Sequence, residues 1–212
     1  MATYEEVRRA LEQRGLLKKI DQESSFPQGE IQGLTCDSRE AGRGTLFICK
    51  GAAFRPGYLQ SAADLGAAAY VGEEVLPTSQ ELPGLIVTDI RKAMATVSAV
   101  YYGYEPGKPI LTGITGTKGK TTTAWYLKAM LDCWQREQGG KETGLISTVV
   151  NYDGRDRQDA VMTTPEAPTI HKLLSRARQE GVSYVTMEVS SHGCFVPIRV
   201  CCTGSIGLSS TM

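Results

Sequence analysis

The feature that most constrains the fold is a glycine-spaced loop at residues 112–123, which reads Thr-Gly-Ile-Thr-Gly-Thr-Lys-Gly-Lys-Thr-Thr-Thr. An apolar segment at 109–115 predicts a short buried strand before the loop, and apolar residues at helical spacing predict a helix after it. Glycines let backbone N–H groups converge on phosphate oxygens, and the start of the helix attracts the same anion. This order predicts a nucleoside triphosphate site formed by Gly116, Thr117, Lys118, Gly119, Lys120, Thr121 and Thr122.

The spacing of this loop departs from the usual phosphate-loop pattern. That pattern would need glycine at position 114, where Ile114 stands, so only the shorter form from Gly116 to Thr121 remains. A Gly/Thr-rich turn with a solvated lysine pair is the alternative interpretation, and the flanking strand and helix favour nucleotide binding. In that case Lys120 would reach the β- and γ-phosphates, and the Thr121 hydroxyl would bind Mg²⁺.

Alternating helical and apolar segments predict an α/β protein of two units. The first unit, residues 1–107, is predicted to begin with an amphipathic helix over 4–19 that buries Val7 and Leu11 and closes near Gly15. The turn-rich segment 105–109 predicts the boundary, and the second unit covers residues 108–193. Further strands of the first unit are predicted at 31–36, 45–49, 67–71 and 85–88, with helices at 57–65 and 90–104.

The second unit is predicted to carry an acidic residue at the carboxyl end of a strand. A strand at 184–189 places Glu188 where parallel sheets bind ligands, so Glu188 is a candidate ligand of a phosphate-bound metal. A solvated acid at a strand end is the alternative. Thr164 is expected to cap a helix that ends near Gly181. The helix after the loop is expected to pack through Ala124, Leu127, Leu131 and Trp134, and a strand at 145–150 to enter a turn at 151–154.

Composition narrows the partners and the compartment. Twenty-three basic residues balance twenty-three acidic ones without a long single-sign run, so neither nucleic acid nor a membrane surface is expected as a partner. The charged start and the lack of a long apolar stretch predict a cytoplasmic protein. Six cysteines without a Cys-x-x-Cys pair disfavour zinc or a disulfide framework and predict reduced, mostly buried thiols. His171 and His192 are expected to pack or to lie on the surface.

Separated blocks of the sequence resemble the Mur ligases, most closely the members that add the third amino acid of the peptidoglycan stem peptide. Asp37-Ser38-Arg39 followed by residues 44–51 is similar to the family's uridine-binding signature. Residues 115–122 resemble its short phosphate loop, with Lys118 where asparagine is more usual. Residues 162–168 and 187–193 resemble its muramoyl-peptide and metal-binding segments. The collinear order of the blocks is more specific than any one of them.

The resemblance implies a small N-terminal substrate-binding domain and an incomplete central P-loop domain with a mainly parallel sheet. It implies ATP and Mg²⁺ as cofactors, and UDP-N-acetylmuramoyl-L-alanyl-D-glutamate and a free amino acid as substrates of a monomer. ATP would phosphorylate the D-glutamate carboxylate, and the amine of the amino acid would attack the acyl phosphate. By the same resemblance the catalytic residues are Lys120 and Glu188, and the metal ligands are Thr121 and Glu188, with Glu188 binding a second Mg²⁺. The substrate contacts that it implies are Asp37, Ser38, Thr163, Thr164 and Ser190.

The chain departs from the family after Gly193. Residues 194–212 contain no Asp, Glu or Lys but three of the six cysteines, and Ile198 stands where the family's substrate-binding arginine belongs. We therefore expect an aberrant tail from a truncation or frameshift, no C-terminal ligase domain, and an inactive fragment. The alternatives are another Mur-type ligase, or a non-catalytic module that binds a nucleotide or a UDP-sugar peptide. The uridine-binding block disfavours a folate polyglutamylating relative.

Overall fold

Two five-stranded sheets with packed helices form the described part of the chain, and this confirms the predicted α/β class. The structure, a computed structural model, describes residues 2–50 and 54–190. The first sheet lies within residues 17–87 and the second within residues 110–188. The boundary at 107/108 lies between them and stays a prediction.

Helices cover both faces of the first sheet. Its elements are α1 (Tyr4–Gln13), β1 (Leu17–Asp21), β2 (Gly33–Thr35), β3 (Thr45–Ile48), α2 (Pro56–Asp64), β4 (Ala67–Gly72), β5 (Gly84–Val87) and α3 (Ile90–Tyr101). The sheet order is β1-β5-β4-β3-β2, and all pairs are parallel except β1 with β5. Successive side chains alternate between the faces. Leu46 and Ile48 therefore pack with α1 and α3, whereas Phe47 packs with α2.

The first helix ends earlier than the sequence predicts. A capping box between Thr3 and Glu6 begins α1, and Val7 and Leu11 are buried as expected. Gly15 then takes a left-handed φ of +64°, which is the usual way for a helix to end. The segment after it pairs with β5 and forms β1, so the prediction of helix up to residue 19 is wrong. Pairing with a strand that is distant in sequence therefore makes this segment extended rather than helical.

Three parallel strands and an antiparallel hairpin form the second sheet. Its elements are β6 (Ile110–Ile114), α4 (Lys120–Glu137), β7 (Gly144–Ile146), β8 (Val150–Tyr152), β9 (Arg157–Asp159), α5 (Ala167–Gln179) and β10 (Tyr184–Glu188). The order is β6-β10-β7-β8-β9, with β6, β10 and β7 parallel. The carboxyl ends of these three strands therefore meet at one edge of the sheet.

The turn between β7 and β8 corrects two predictions made from the sequence. The strand expected over 145–150 ends at Ile146, because Ser147 makes a tight turn in which its Oγ accepts hydrogen bonds from the N–H groups of Val149 and Val150 at 3.2 and 3.1 Å. The chain then returns as β8, antiparallel to β7. The turn expected at 151–154 is therefore wrong over its first two residues, which lie in β8.

The buried face of α4 also differs from the prediction. Ala124 is fully buried, but Trp134 is 48% exposed, and Lys128 is buried instead. The Lys128 ammonium lies 2.7 Å from a carboxylate oxygen of both Asp132 and Glu142. Two carboxylates offset the cost of removing the ammonium from water. Ion pairing therefore places a charged side chain on a face that the apolar pattern assigned to leucine and tryptophan.

Contacts between α3 and α5 join the two units. Ala167 at the start of α5 belongs to the hydrophobic cluster of the first unit. Arg178 on α5 pairs with Glu105 at 2.7 Å. Lys50, just after β3, forms an ion pair with Glu166, just before α5. The carboxyl end of β3 therefore contacts the loop that leads into α5.

The cysteines and histidines are only partly covered by the described ranges. His192, Cys194, Cys201, Cys202 and the predicted aberrant tail at 194–212 lie outside them. Of the three cysteines inside, Cys49 is buried and Cys36 and Cys133 are exposed, so the expectation of mostly buried thiols is wrong there. His171 is buried in α5.

No helix within residues 2–50 and 54–190 has both the length and the apolar character needed to cross a bilayer.

Candidate functional site

The glycine-spaced loop connects β6 to α4, as the sequence predicts. Gly116 has a φ of +150°, and Gly119, at the N-cap of α4, has a φ of +79°. Side chains other than that of glycine rarely take such values. Residues 115–119 are exposed at the start of an 18-residue helix, whose first N–H groups favour an anion. The Lys120 ammonium donates a hydrogen bond to the Gly116 carbonyl at 2.8 Å, which holds it over the loop.

Glu188 and Thr121, the two predicted metal ligands, lie in contact. Glu188 ends β10 and is paired in register with Ile114 at the end of β6, so the sheet brings it to the base of the loop. The Thr121 hydroxyl donates a hydrogen bond to Glu188 Oε2 at 2.9 Å. Glu188 is fully buried, with 0% of its surface exposed. A solvated acid, the alternative considered for Glu188, is therefore wrong.

Thr148 is a further residue of this site that the sequence did not single out. Its N–H donates to Glu188 Oε1 at 2.9 Å, and its hydroxyl lies 3.1 Å from Glu188 Oε2. A strand predicted to continue to residue 150 places Thr148 inside the strand, whereas the turn at Ser147 places it at the carboxyl end of β7. The pair of hydroxyl residues Ser147-Thr148 at a strand end is the signal that could have identified it.

Thr163, Thr164 and Ser190, the residues expected to bind the muramoyl peptide, lie beside Glu188. Thr164 Oγ1 accepts a hydrogen bond from the Ser190 N–H at 2.8 Å and lies 3.1 Å from the Glu188 carbonyl oxygen. Thr163 Oγ1 is 3.3 Å from Thr148 Oγ1. Thr164 is therefore not the helix cap that its sequence position suggested. The N-cap is Glu166, with Pro168 in the first turn, because the Thr164 hydroxyl is used to hold the end of β10.

Asp37 and Ser38, the residues expected to contact uridine, lie in the first unit after β2. Asp37 caps a short 3-10 helix that begins at Ser38, and its carboxylate binds the Arg39 guanidinium through contacts of 2.9 and 2.5 Å. Hydrogen bonds from Arg39 lower the pKa of Asp37 to about 2. Neither residue is among the described groups that contact Thr121 or Glu188. One contact between the two regions is the ion pair of Lys50, after β3, with Glu166, before α5.

The chemistry of the loop end suits Mg²⁺. Thr121 and Glu188 supply hydroxyl and carboxylate oxygens, the hard ligands that this ion prefers. Among the described residues, no three acidic, histidine or cysteine side chains cluster as a complete metal site. Phosphate oxygens and water would supply the remaining ligands, which is how Mg²⁺ usually binds with nucleotides.

Comparisons with known proteins agree on one family. The family described as Mur ligase middle domain matches residues 114–199. A UDP-N-acetylmuramyl-tripeptide synthetase of Lactobacillus delbrueckii subsp. bulgaricus is 42% identical over 164 residues, which are 76% of this chain and 31% of the relative. A UDP-N-acetylmuramoyl-L-alanyl-D-glutamate--L-lysine ligase of Enterococcus faecalis is 37% identical over 194 residues, 87% of this chain and 37% of the relative. This chain thus spans about a third of the length of these curated relatives.

Solved structures share the fold. The crystal structure of MurF from Acinetobacter baumannii matches with a TM-score of 0.57 and 21% identity, over 90% of this chain and 36% of that one. A UDP-N-acetylmuramoyl-L-alanyl-D-glutamate--2,6-diaminopimelate ligase matches with a TM-score of 0.59 and 22% identity, over 76% of this chain and 32% of that one. The identities with the curated relatives, the matched family and the shared fold agree, and the chain belongs to the Mur ligase family.

Proposed function

We propose that this chain carries the nucleotide and UDP-substrate sites of an ATP-dependent, amide-forming ligase of peptidoglycan precursor synthesis. The observation that carries the proposal is the convergence of Lys120, Thr121 and Glu188 at the carboxyl ends of β6 and β10. A cation, a hydroxyl and a buried carboxylate at a glycine loop match the needs of a bound triphosphate with Mg²⁺. The ligase would act in the cytoplasm.

The proposed substrate is UDP-N-acetylmuramoyl-L-alanyl-D-glutamate, and the reaction would add the third amino acid of the stem peptide. The names of the relatives support this step, and they differ in the amino acid: L-lysine for the protein of Enterococcus faecalis and 2,6-diaminopimelate for that of Clostridium perfringens. These two names agree on the acceptor peptide and differ in the amino acid that is added. They therefore support the proposed acceptor but do not select the amino acid.

The proposed chemistry has two steps. The D-glutamate side-chain carboxylate would attack the γ-phosphorus of ATP, forming an acyl phosphate and releasing ADP. The amine of the amino acid would then attack the acyl carbon, forming the amide and releasing phosphate and a proton. Phosphoryl transfer depends mainly on positioning and on neutralisation of charge. Bound Mg²⁺ would supply part of that neutralisation, held by Thr121 and Glu188.

Lys120 would supply the other positive charge. It rests on the Gly116 carbonyl at 2.8 Å, so a neutral hydrogen bond would be exchanged for a contact with phosphate. Charge-assisted contacts of this kind contribute about 1.5–3 kcal/mol. Thr164 and Ser190 would hold the muramoyl peptide at the end of β10, and Asp37 and Ser38 would contact its uridine end. One extended substrate would thus contact both units.

Nucleotide affinity of the Lys120→Ala variant tests the proposal. We expect the wild-type chain to bind a non-hydrolysable ATP analogue in the presence of Mg²⁺, and the variant to bind it about ten- to a hundredfold more weakly. Lys172→Ala, which removes an exposed lysine from α5, is the matched control and should bind like the wild type. Equal affinity of wild type and Lys120→Ala would refute the assignment of the loop.

ADP formation separates the ligase from a binding module. With ATP, the UDP-muramoyl dipeptide and an amino acid, a ligase forms ADP in proportion to the amide. Binding of both nucleotide and UDP-muramoyl dipeptide without ADP formation would select the non-catalytic module for this chain by itself. Replacing the dipeptide substrate by a UDP-N-acetylmuramoyl-tripeptide, and the amino acid by D-alanyl-D-alanine, tests the Mur-type ligase that adds the dipeptide, which would prefer the longer acceptor.

A further inference from the structure

Among the described residues, three hydrogen bonds hold the Glu188 carboxylate, and two of them come from Thr148. The Thr148 N–H donates to Oε1 at 2.9 Å, and the Thr148 hydroxyl lies 3.1 Å from Oε2. The third comes from the Thr121 hydroxyl at 2.9 Å. Because the residue is fully buried, its carboxylate depends on these protein donors, and each donor also sets its direction.

The turn after β7 holds Thr148 in place. Ser147 is fully buried, and its hydroxyl donates to the Val150 carbonyl at 2.7 Å while accepting from the Val149 and Val150 N–H groups. The Asn151 side-chain oxygen accepts a hydrogen bond from the Ser147 N–H at 3.3 Å. These bonds close the turn immediately around Thr148. The hydrogen-bonded turn therefore fixes the direction of the Thr148 N–H toward Glu188. Supporting hydrogen bonds of this kind keep functional groups oriented.

Thr148 also contacts the loop that is expected to bind substrate. Its hydroxyl is 3.3 Å from the Thr163 hydroxyl. A threonine hydroxyl has one proton and two acceptor positions, so Thr148 can donate to Glu188 while it accepts from Thr163. The next residue, Thr164, accepts from the Ser190 N–H at 2.8 Å. The carboxylate and the substrate loop are thus joined through one hydroxyl group.

We propose that Thr148 is a positioning residue that couples the magnesium–nucleotide pair, Thr121 and Glu188, to the substrate loop at Thr163. The inference rests on the proposed function. If Thr121 and Glu188 bind Mg²⁺, the Thr121 hydroxyl oxygen faces the ion, and Thr148 remains as the donor that orients the carboxylate. A change in the position of Thr163 on substrate binding then reaches Glu188 through a shared hydrogen bond.

Thr148→Val tests the role, because valine keeps the shape and the backbone N–H and removes only the hydroxyl. We expect the Mg²⁺ concentration that gives half-maximal binding of a non-hydrolysable ATP analogue to rise about tenfold, the effect of losing one hydrogen bond to a charged group. Thr148→Ser restores the hydroxyl and should restore the wild-type magnesium dependence. Thr169→Val, at an exposed threonine of α5, is the control and should change nothing.

Thr163→Val tests the coupling from the other end. In the wild type, saturating UDP-N-acetylmuramoyl-L-alanyl-D-glutamate should lower the Mg²⁺ requirement for nucleotide binding, and in Thr163→Val this effect should disappear even at a dipeptide concentration that saturates the variant. This variant leaves the three donors to Glu188 in place, so it also serves if Thr148→Val does not fold.

The outcomes separate the inference from the proposed function. Absence of magnesium-dependent nucleotide binding in the wild type overturns both. If the wild type binds but Thr148→Val has the same magnesium dependence, or Thr163→Val keeps the full substrate effect, the positioning role of Thr148 is overturned and the nucleotide site stands. A loss in Thr148→Val that Thr148→Ser does not restore also overturns it, because the hydroxyl is then not the active group.

Discussion

The buried histidine of α5 should make the second unit unstable to mild acid. His171 is 2% exposed, and neither of its ring nitrogens has a hydrogen-bond partner within residues 2–50 and 54–190. Its ring meets the edge of Tyr104 at a centroid distance of 5.2 Å and an angle of 75°. Burial lowers the pKa of His171 from 6.5 to about 4. The neutral imidazole is therefore the form that the folded chain accepts.

The sign and size of the effect follow from this pKa. Between pH 6.5 and pH 4 the histidine of the unfolded chain is mostly protonated and that of the folded chain is not, so unfolding takes up about one proton. The free energy of unfolding then falls by about 1.4 kcal/mol for each unit by which the pH decreases. From pH 7.5 to pH 5 the histidine alone should cost about 2 kcal/mol.

His171→Leu removes this dependence. Leucine has no group to protonate, and it also replaces two unpaired ring nitrogens, each of which costs about 1–3 kcal/mol in a buried position. We expect the variant to be at least about 1 kcal/mol more stable than the wild type at pH 7.5 after the change of shape is included. At pH 5 the difference should grow by about a further 2 kcal/mol.

Urea unfolding followed by tryptophan fluorescence is the assay. The two tryptophans of the chain, Trp125 and Trp134, both lie on α4, so the signal reports the unit that contains His171. Lys172→Ala, beside His171 but exposed, should keep the wild-type dependence on pH. If wild type and His171→Leu lose the same free energy between pH 7.5 and pH 5, the histidine is not held neutral by burial and the reasoning fails.

Two further predictions concern packing and the contact between units. Gly84→Ala should destabilise the first unit by about 2–3 kcal/mol, because an added Cβ would lie 2.4 Å from the ring of the fully buried Tyr70; circular dichroism during urea unfolding measures it. Gly57→Ala, in open space on α2, should instead stabilise slightly, and an equal effect of both changes would contradict the packing argument. Glu166→Gln should lower the melting temperature by about 2–4 °C, because it leaves the half-buried Lys50 without its carboxylate. Glu105→Gln at the other pair between the units is the comparison, and an unchanged melting temperature in Glu166→Gln would show that the Lys50 pair contributes nothing.

The glycine-spaced loop and the position of Glu188 at the end of a strand could both be predicted from the sequence alone. Both are local properties: left-handed backbone at Gly119 needs glycine, and an apolar run that ends in an acid places that acid at the end of a strand. The order of strand, loop and helix follows from short-range periodicity. The Mur ligase family could be identified for the same reason, because its signatures are short contiguous segments.

The contacts that close the site depend on the folded chain. The change from helix to strand after Gly15 depends on pairing with β5, and burial of Lys128 depends on Glu142 in another segment. Thr164 holds the end of β10 rather than capping α5. Thr148 reaches Glu188 because the buried Ser147, which directly precedes it, turns the chain there. Each of these outcomes depends on a hydrogen bond or an ion pair between groups that only folding brings together, and a local pattern carries no information about such a partner.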